Sequence, residues 1–170
     1  HLALREGGVR FLAALADERT AALFQEALAA CSDLDCTVVT GRALEAMAAA
    51  DVVVCASGTA TLECMLVNRP MVVVYQVAPS TAWMMRRFDL MKSPHIALPN
   101  ILAGERLVPE FVQEAVNGEA IAEAVNRWLD DATQRETLRD RFAALHQELR
   151  CGAADRAAEA VLALIEKHRG

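Results

Sequence analysis

Residues 51–66 read DVVVCASGTATLECML. Val52, Val53, Val54, Cys55 and Ala56 form a run of small and β-branched apolar side chains, the composition of a strand with neither face in water. Ser57, Gly58 and Thr59 then break the run. From Thr59 to Val67 the chain continues at helical spacing and carries a single acid, Glu63. A strand that empties through a glycine turn into a helix is the repeating unit of a parallel sheet, because parallel neighbours need a crossover and a helix supplies it.

The same unit recurs on both sides. Residues 9–15 (VRFLAAL) lead to a segment in which Asp17 suits an N-cap and Ala21, Leu23, Phe24 and Leu28 suit one helix face. Residues 36–40 (CTVVT) pass through Gly41 into RALEAMAAA, a short helix. Asn68, Arg69 and Pro70 stop the helix after the Ser-Gly-Thr turn, and 71–77 (MVVVYQV) make a fourth strand. Four strands separated by helices predict a doubly wound parallel α/β fold, Rossmann-like in kind. Past Val77 the pattern turns helical. It predicts a helix over 80–92, a proline-punctuated loop at SPHIALPNILAG, and helices near 109–116, 119–131, 132–150 and 153–167, with Gly152 as a C-cap. An α/β domain over 1–131 and a helical tail over 132–170 follow from that division.

Composition narrows the function. With 170 residues and 54% apolar content the chain is long and apolar enough for a packed core. Seventeen basic against 23 acidic residues, mixed along the chain, give a net charge of −6 and no basic stripe, which argues against nucleic acid as a partner. No apolar run approaches the roughly 20 residues of a membrane span, and HLALREGGVRFLAAL does not read as an export signal. The five cysteines (Cys31, Cys36, Cys55, Cys64, Cys151) contain no C-x-x-C pair, so reduced thiols in a cytoplasmic protein are expected. The histidines, His1, His95, His146 and His168, have no metal-ligand spacing, and neither a metal nor a cofactor is expected.

Ligands of open parallel sheets bind at the carboxyl ends of the strands. Ser57, Gly58 and Thr59 stand at such an end: glycine lets backbone approach a ligand, and a helix start offers N–H groups and a favourable dipole to a phosphate. Glu63, four residues beyond Thr59, falls on the same helix face, within reach of sugar hydroxyls. A plainer reading has Thr59 as an N-cap and Glu63 as an acid favoured by the dipole.

Several motifs in order carry more weight than one turn. SGTATLECML, RPMVVVYQVAPSTAWMMRR, HIALPNILAGERLVPEFVQE and RFAALHQELRCGAADRAAEAVLALI together resemble the C-terminal half of the lipid-A-disaccharide synthases, inverting glycosyltransferases of GT-B-like architecture. The resemblance runs from about Gly41 to the C-terminus. It implies a lipid A and lipopolysaccharide pathway of Gram-negative bacteria, with UDP-2,3-diacylglucosamine as donor and 2,3-diacylglucosamine 1-phosphate as acceptor. It further implies a Rossmann-like UDP-binding half in which Ser57, Gly58 and Thr59 face the diphosphate, Glu63 the ribose, and the loop of Gly41 and Arg42 the uracil. Asn100 corresponds to a family asparagine tied to activity, suited to stabilise the leaving UDP; an Asx turn after Pro99 is the alternative. Gln113 and Glu114 correspond to a Gln-Glu pair near the donor, with a solvated helix face as the alternative.

This chain departs from the family pattern in two respects. It enters at what resembles the family's next strand, without the earlier strand and its glycine-serine-arginine loop, and Gln76 stands where arginine is common. The acceptor-binding half and its general base are not among these residues, so the chain is expected to be inactive alone. TAWMMRRFDLMK gathers Trp83, Met84, Phe88 and Met91 beside Arg86 and Arg87. This is a candidate contact with a membrane surface and its lipid-linked substrates, or else a core-facing helix. The resemblance implies peripheral attachment to the inner face of the inner membrane and a homodimer that exchanges its tails. Other GT-B-like UDP-sugar enzymes, of epimerase or peptidoglycan transferase type, and a non-catalytic α/β interaction domain are the competing readings.

Overall fold

A computed structural model describes residues 8–30, 34–78, 80–81 and 93–150, and beyond them 152, 157–158, 161 and 164–165. Strand β1 (Phe11–Leu15) is followed by helix α1 (Glu18–Leu28), β2 (Cys36–Thr40), α2 (Ala43–Ala49), β3 (Val53–Ala56), α3 (Thr59–Leu66) and β4 (Met71–Tyr75). After them come α4 (Leu98–Ala103), β5 (Glu110–Val112), a 3₁₀ turn (Gln113–Ala115), α5 (Gly118–Asp130) and α6 (Ala132–Leu149). All strand pairing is parallel, in two ladders ordered β1-β2 and β3-β4-β5. The expected α/β class holds, as an open, Rossmann-like parallel arrangement.

Two expectations change. Residues 109–116 are not a helix: Glu110, Phe111 and Val112 pair with Val73, Val74 and Tyr75, adding a fifth strand. Residues 98–103 are not a loop. Pro99 sits in the first turn, where its missing N–H costs nothing, and Gly104 ends the helix at φ 68.

β4 is the centre of the core. Met71, Val72 and Val73 have no exposed surface, and they pack with Cys64 and Met65 of α3, Val125 and Trp128 of α5, and Leu138, Phe142 and Leu145 of α6. The Trp128 indole Nε1 donates to the Met71 carbonyl at 3.1 Å, which satisfies a polar atom inside the apolar cluster. α6, the first part of the 132–170 tail, thus closes the same core as β4. Val161, Leu164 and Ile165 further along are exposed.

α5 meets α6 at a single residue. Asp131 ends one helix and caps the next, its side chain accepting from Gln134 N at 2.8 Å. Arg135 reaches back with Nη1 to the carbonyls of Trp128 and Leu129, the latter at 2.8 Å, and so occupies acceptors that a helix end leaves free.

Candidate functional site

Ser57 begins the turn that leaves β3. Its N–H donates to the Val74 carbonyl at 2.9 Å, extending the ladder by one rung, and its Oγ donates to the Ile96 carbonyl at 2.9 Å. Gly58 follows at φ 132, ψ −157, a conformation L side chains rarely adopt, and nothing lies within 4 Å of where a Cβ would stand. It is also the residue that precedes α3, with no side-chain cap on the helix start. Thr59 is therefore the first helical residue and not an N-cap, and it is exposed. The first N–H groups of a helix have no intrahelical acceptor. At α3 they emerge beside an open glycine, the arrangement that receives an anion.

Thr61, which the sequence does not single out, holds the turn from the other side. Its buried Oγ1 donates to the Gly58 carbonyl at 2.8 Å and accepts from Leu98 N at 3.2 Å. Glu63 is exposed one turn beyond Thr59, free of any packing that would keep its carboxylate from a ligand.

The remaining candidates lie on other elements. Gly41 closes the other ladder, at φ 67, with its N–H on the Leu15 carbonyl at 2.9 Å. Arg42 is exposed and its Nε lies 3.6 Å from Glu45, an ion pair open to water and weak for that reason. Gln113, at φ 52, has its side-chain amide against the Val77 backbone, where the amide orientation that satisfies both groups donates to the carbonyl and accepts from the N–H at 3.3 Å each. The amide acts as a surrogate strand residue just past the end of β4. Glu114 beside it is exposed. Trp83, Met84, Arg86, Arg87 and Phe88 lie outside the described residues.

Asn100 is where side-chain chemistry and expectation diverge most. It has no exposed surface. Its Oδ1 accepts from Leu107 N at 2.8 Å and Val108 N at 2.9 Å, while Nδ2 donates to the Val108 carbonyl at 2.9 Å. This is no Asx turn, which would bond two residues on. The amide braces the segment between α4 and β5, and in this arrangement it meets no solvent-borne ligand directly.

Two thiols lie under the site. Burial pushes Cys55 up to about 11 and Cys64 up to about 12 from an ordinary 9.0, so both stay protonated at neutral pH and serve as small apolar packing groups. Among the described residues no cluster of His, Cys, Asp or Glu could hold a metal ion, and no helix is long and apolar enough to cross a membrane.

Fold and turn together place the chain among the parallel α/β proteins that take ligands at the carboxyl ends of their strands. The family model described as lipid-A-disaccharide synthetase matches residues 6–162, and the chain belongs to that family. It is similar to the lipid-A-disaccharide synthase of Alkalilimnicola ehrlichii, 51% identical over 160 residues, covering 94% of this chain and 41% of the relative. That of Chromohalobacter salexigens is 52% identical over 125 residues, 74% of this chain and 32% of the relative. That of Pseudomonas entomophila is 44% identical over 159 residues, 94% and 41%. The chain thus spans about two-fifths of the length of the curated relatives it matches along most of its own.

Proposed function

We propose that this chain is the UDP-binding half of a lipid-A-disaccharide synthase. The observation that carries the reading is the open, uncapped start of α3 at Gly58 and Thr59, inside the family-matched residues and at the mouth of a parallel strand. In the reaction, an acceptor hydroxyl of 2,3-diacylglucosamine 1-phosphate attacks the anomeric carbon of UDP-2,3-diacylglucosamine. The new glycosidic bond forms as the bond to the diphosphate breaks, and UDP departs with the electron pair. The hydroxyl proton passes to a base outside these 170 residues.

Within this chain, the N–H groups at Gly58 and Thr59 receive the diphosphate and stabilise the charge it gains on leaving. Glu63 accepts from the ribose hydroxyls, and the Gly41–Arg42 loop borders the base. Gln113 and Glu114 flank the donor from the end of β5. Asn100 contributes from behind, by fixing the segment that supports the turn. The 132–170 tail beyond α6, with Val161, Leu164 and Ile165 exposed, packs on the acceptor-binding half or on a second subunit in a homodimer. Trp83, Met84, Arg86, Arg87 and Phe88 meet the inner face of the inner membrane, from which both lipid substrates are drawn.

Titrating the chain with UDP while following backbone amide resonances tests the reading. Gly58 and Thr59 are expected to shift, the melting temperature to rise as ligand stabilises the folded state, and NAD to do neither. Unmoved Gly58 and Thr59 resonances, or an equal response to NAD, overturn it.

A further inference from the structure

Glu110 opens β5 with a side chain only 8% exposed. A carboxylate in such a place needs partners, because an unpaired buried charge is strongly unfavourable. Among the described residues its partners come from one segment, more than a dozen residues back along the chain. Oε1 accepts from Ile96 N at 2.9 Å and from Ala97 N at 2.6 Å, and Oε2 lies 3.5 Å from His95 Nδ1. Two consecutive N–H groups converging on one oxygen leave the backbone at 95–97 little freedom.

That segment is what the ligand-facing turn leans on. The Ile96 carbonyl, in the same peptide group as the clamped Ala97 N–H, accepts the Ser57 hydroxyl at 2.9 Å. Leu98 N, the next N–H after Ala97, donates to Thr61 Oγ1, which in turn donates to the Gly58 carbonyl. Ser57 and Thr61 bracket Gly58, and the side chain of each ends on 96–98. Glu110 itself is fixed by the β4–β5 ladder, through the pairing of its residue with Val73, and by Arg106 Nη2 on its own carbonyl at 3.3 Å.

We infer that Glu110 is a positioning residue for the nucleotide-binding turn: through its hydrogen bonds to Ile96 and Ala97 it sets the loop that holds Ser57 and Thr61, and so the conformation of Gly58. The inference rests on the donor-site reading above. Glu110 touches no ligand. It transmits the rigidity of the sheet to a glycine that has no side chain to hold itself in place.

UDP affinity of the 170-residue chain, measured by titration calorimetry for E110A, E110Q, S57A and the E110A/S57A pair, tests the inference. E110A orphans two N–H groups and is expected to weaken UDP about tenfold, while E110Q keeps an acceptor oxygen and stays within about threefold. The double variant is expected to bind no more weakly than E110A, since both changes cut one path. An E110A protein that loses stability but binds UDP like the unaltered chain overturns the inference, as does a weakening that multiplies with S57A. Amide resonances supply a second readout that needs neither nucleotide nor E110A. In E110Q the Ser57, Gly58 and Thr59 signals are expected to move along with Ile96 and Ala97; if only Ile96 and Ala97 move, the inference falls. Should the unaltered chain ignore UDP, the donor-site reading fails alone, and those resonances still decide whether Glu110 shapes the turn.

Discussion

In the β3-β4-β5 ladder the middle strand has Met71, Val72 and Val73 at 0% exposure, whereas no residue of β1 or β2 is buried. β1 (FLAAL) is as long as β4 (MVVVY) and as apolar, so the contrast comes from their neighbours. β4 has a partner at each edge, α5 packs against it, and α3, α4 and α6 close the same cluster. Among the described residues β1 and β2 pack chiefly on each other and on α1 and α2, and α1 buries Ala21 alone. A two-stranded pair is marginal without further cover; here Leu12, Leu23 and Leu44 remain 42%, 61% and 52% exposed. The turn at Gly58 is therefore mounted on the tightly packed ladder and the Gly41 loop on the open one. In the function proposed above, the diphosphate is received on the tightly packed ladder and the base at the more open one.

Truncations in the two regions test this contrast. Phe142→Ala, from 1% exposure, is expected to lower stability by about 3–5 kcal/mol through lost burial and a cavity. Leu23→Ala is expected to stay within about 0.5 kcal/mol. Urea denaturation measures both, and equal costs would erase the distinction between the ladders. Next comes Asn100→Ala, which orphans the Leu107 and Val108 N–H groups inside the packed region. About 2–3 kcal/mol is expected, with faster hydrogen exchange at those two amides.

The smallest effect is a pH dependence confined to the packed ladder. Cys55 and Cys64 ionise at about 11 and about 12 when folded and near 9.0 when unfolded. Folded pKa values that are raised mean stability complete below pH 9 and lost as pH climbs toward 11–12, because the unfolded chain gives up those protons first. By about pH 9.5 the pair is expected to account for a loss on the order of 1–2 kcal/mol. Replacing both cysteines by alanine should flatten that part of the urea midpoint's pH profile; an unchanged slope counts against burial as its cause.

Where the sequence pattern was dense, it was enough. CTVVT is β2 to the residue, Asp17 does cap α1 through Thr20 N, and the strand-turn-helix forms at 53–66, but the expectation that neither face of its strand meets water fails: Val54 and Ala56 are exposed and only Cys55 of β3 is buried. The misreadings share a cause. EFV is too short to display a period, so the helical signal around it prevails although the pairing with β4 makes it a strand. In LPNILA, proline reads as a breaker in one dimension, yet it occupies the first turn, where its lack of an N–H is harmless. The brace at Asn100 and the clamp at Glu110 depend on segments 7 to 14 residues away meeting in space. A lone asparagine or acid carries no mark of such an encounter in one dimension.

Asp131 belongs to two helices at once, and Arg135 ties the second to the last carbonyls of the first. A corner with no spare residue cannot lengthen: one inserted amino acid would rotate the second rod by about 100° and turn Leu138, Phe142 and Leu145 toward water. Length variation among proteins built on this plan should therefore avoid the 130–132 junction, and gather instead where the backbone can bulge without swinging a helix.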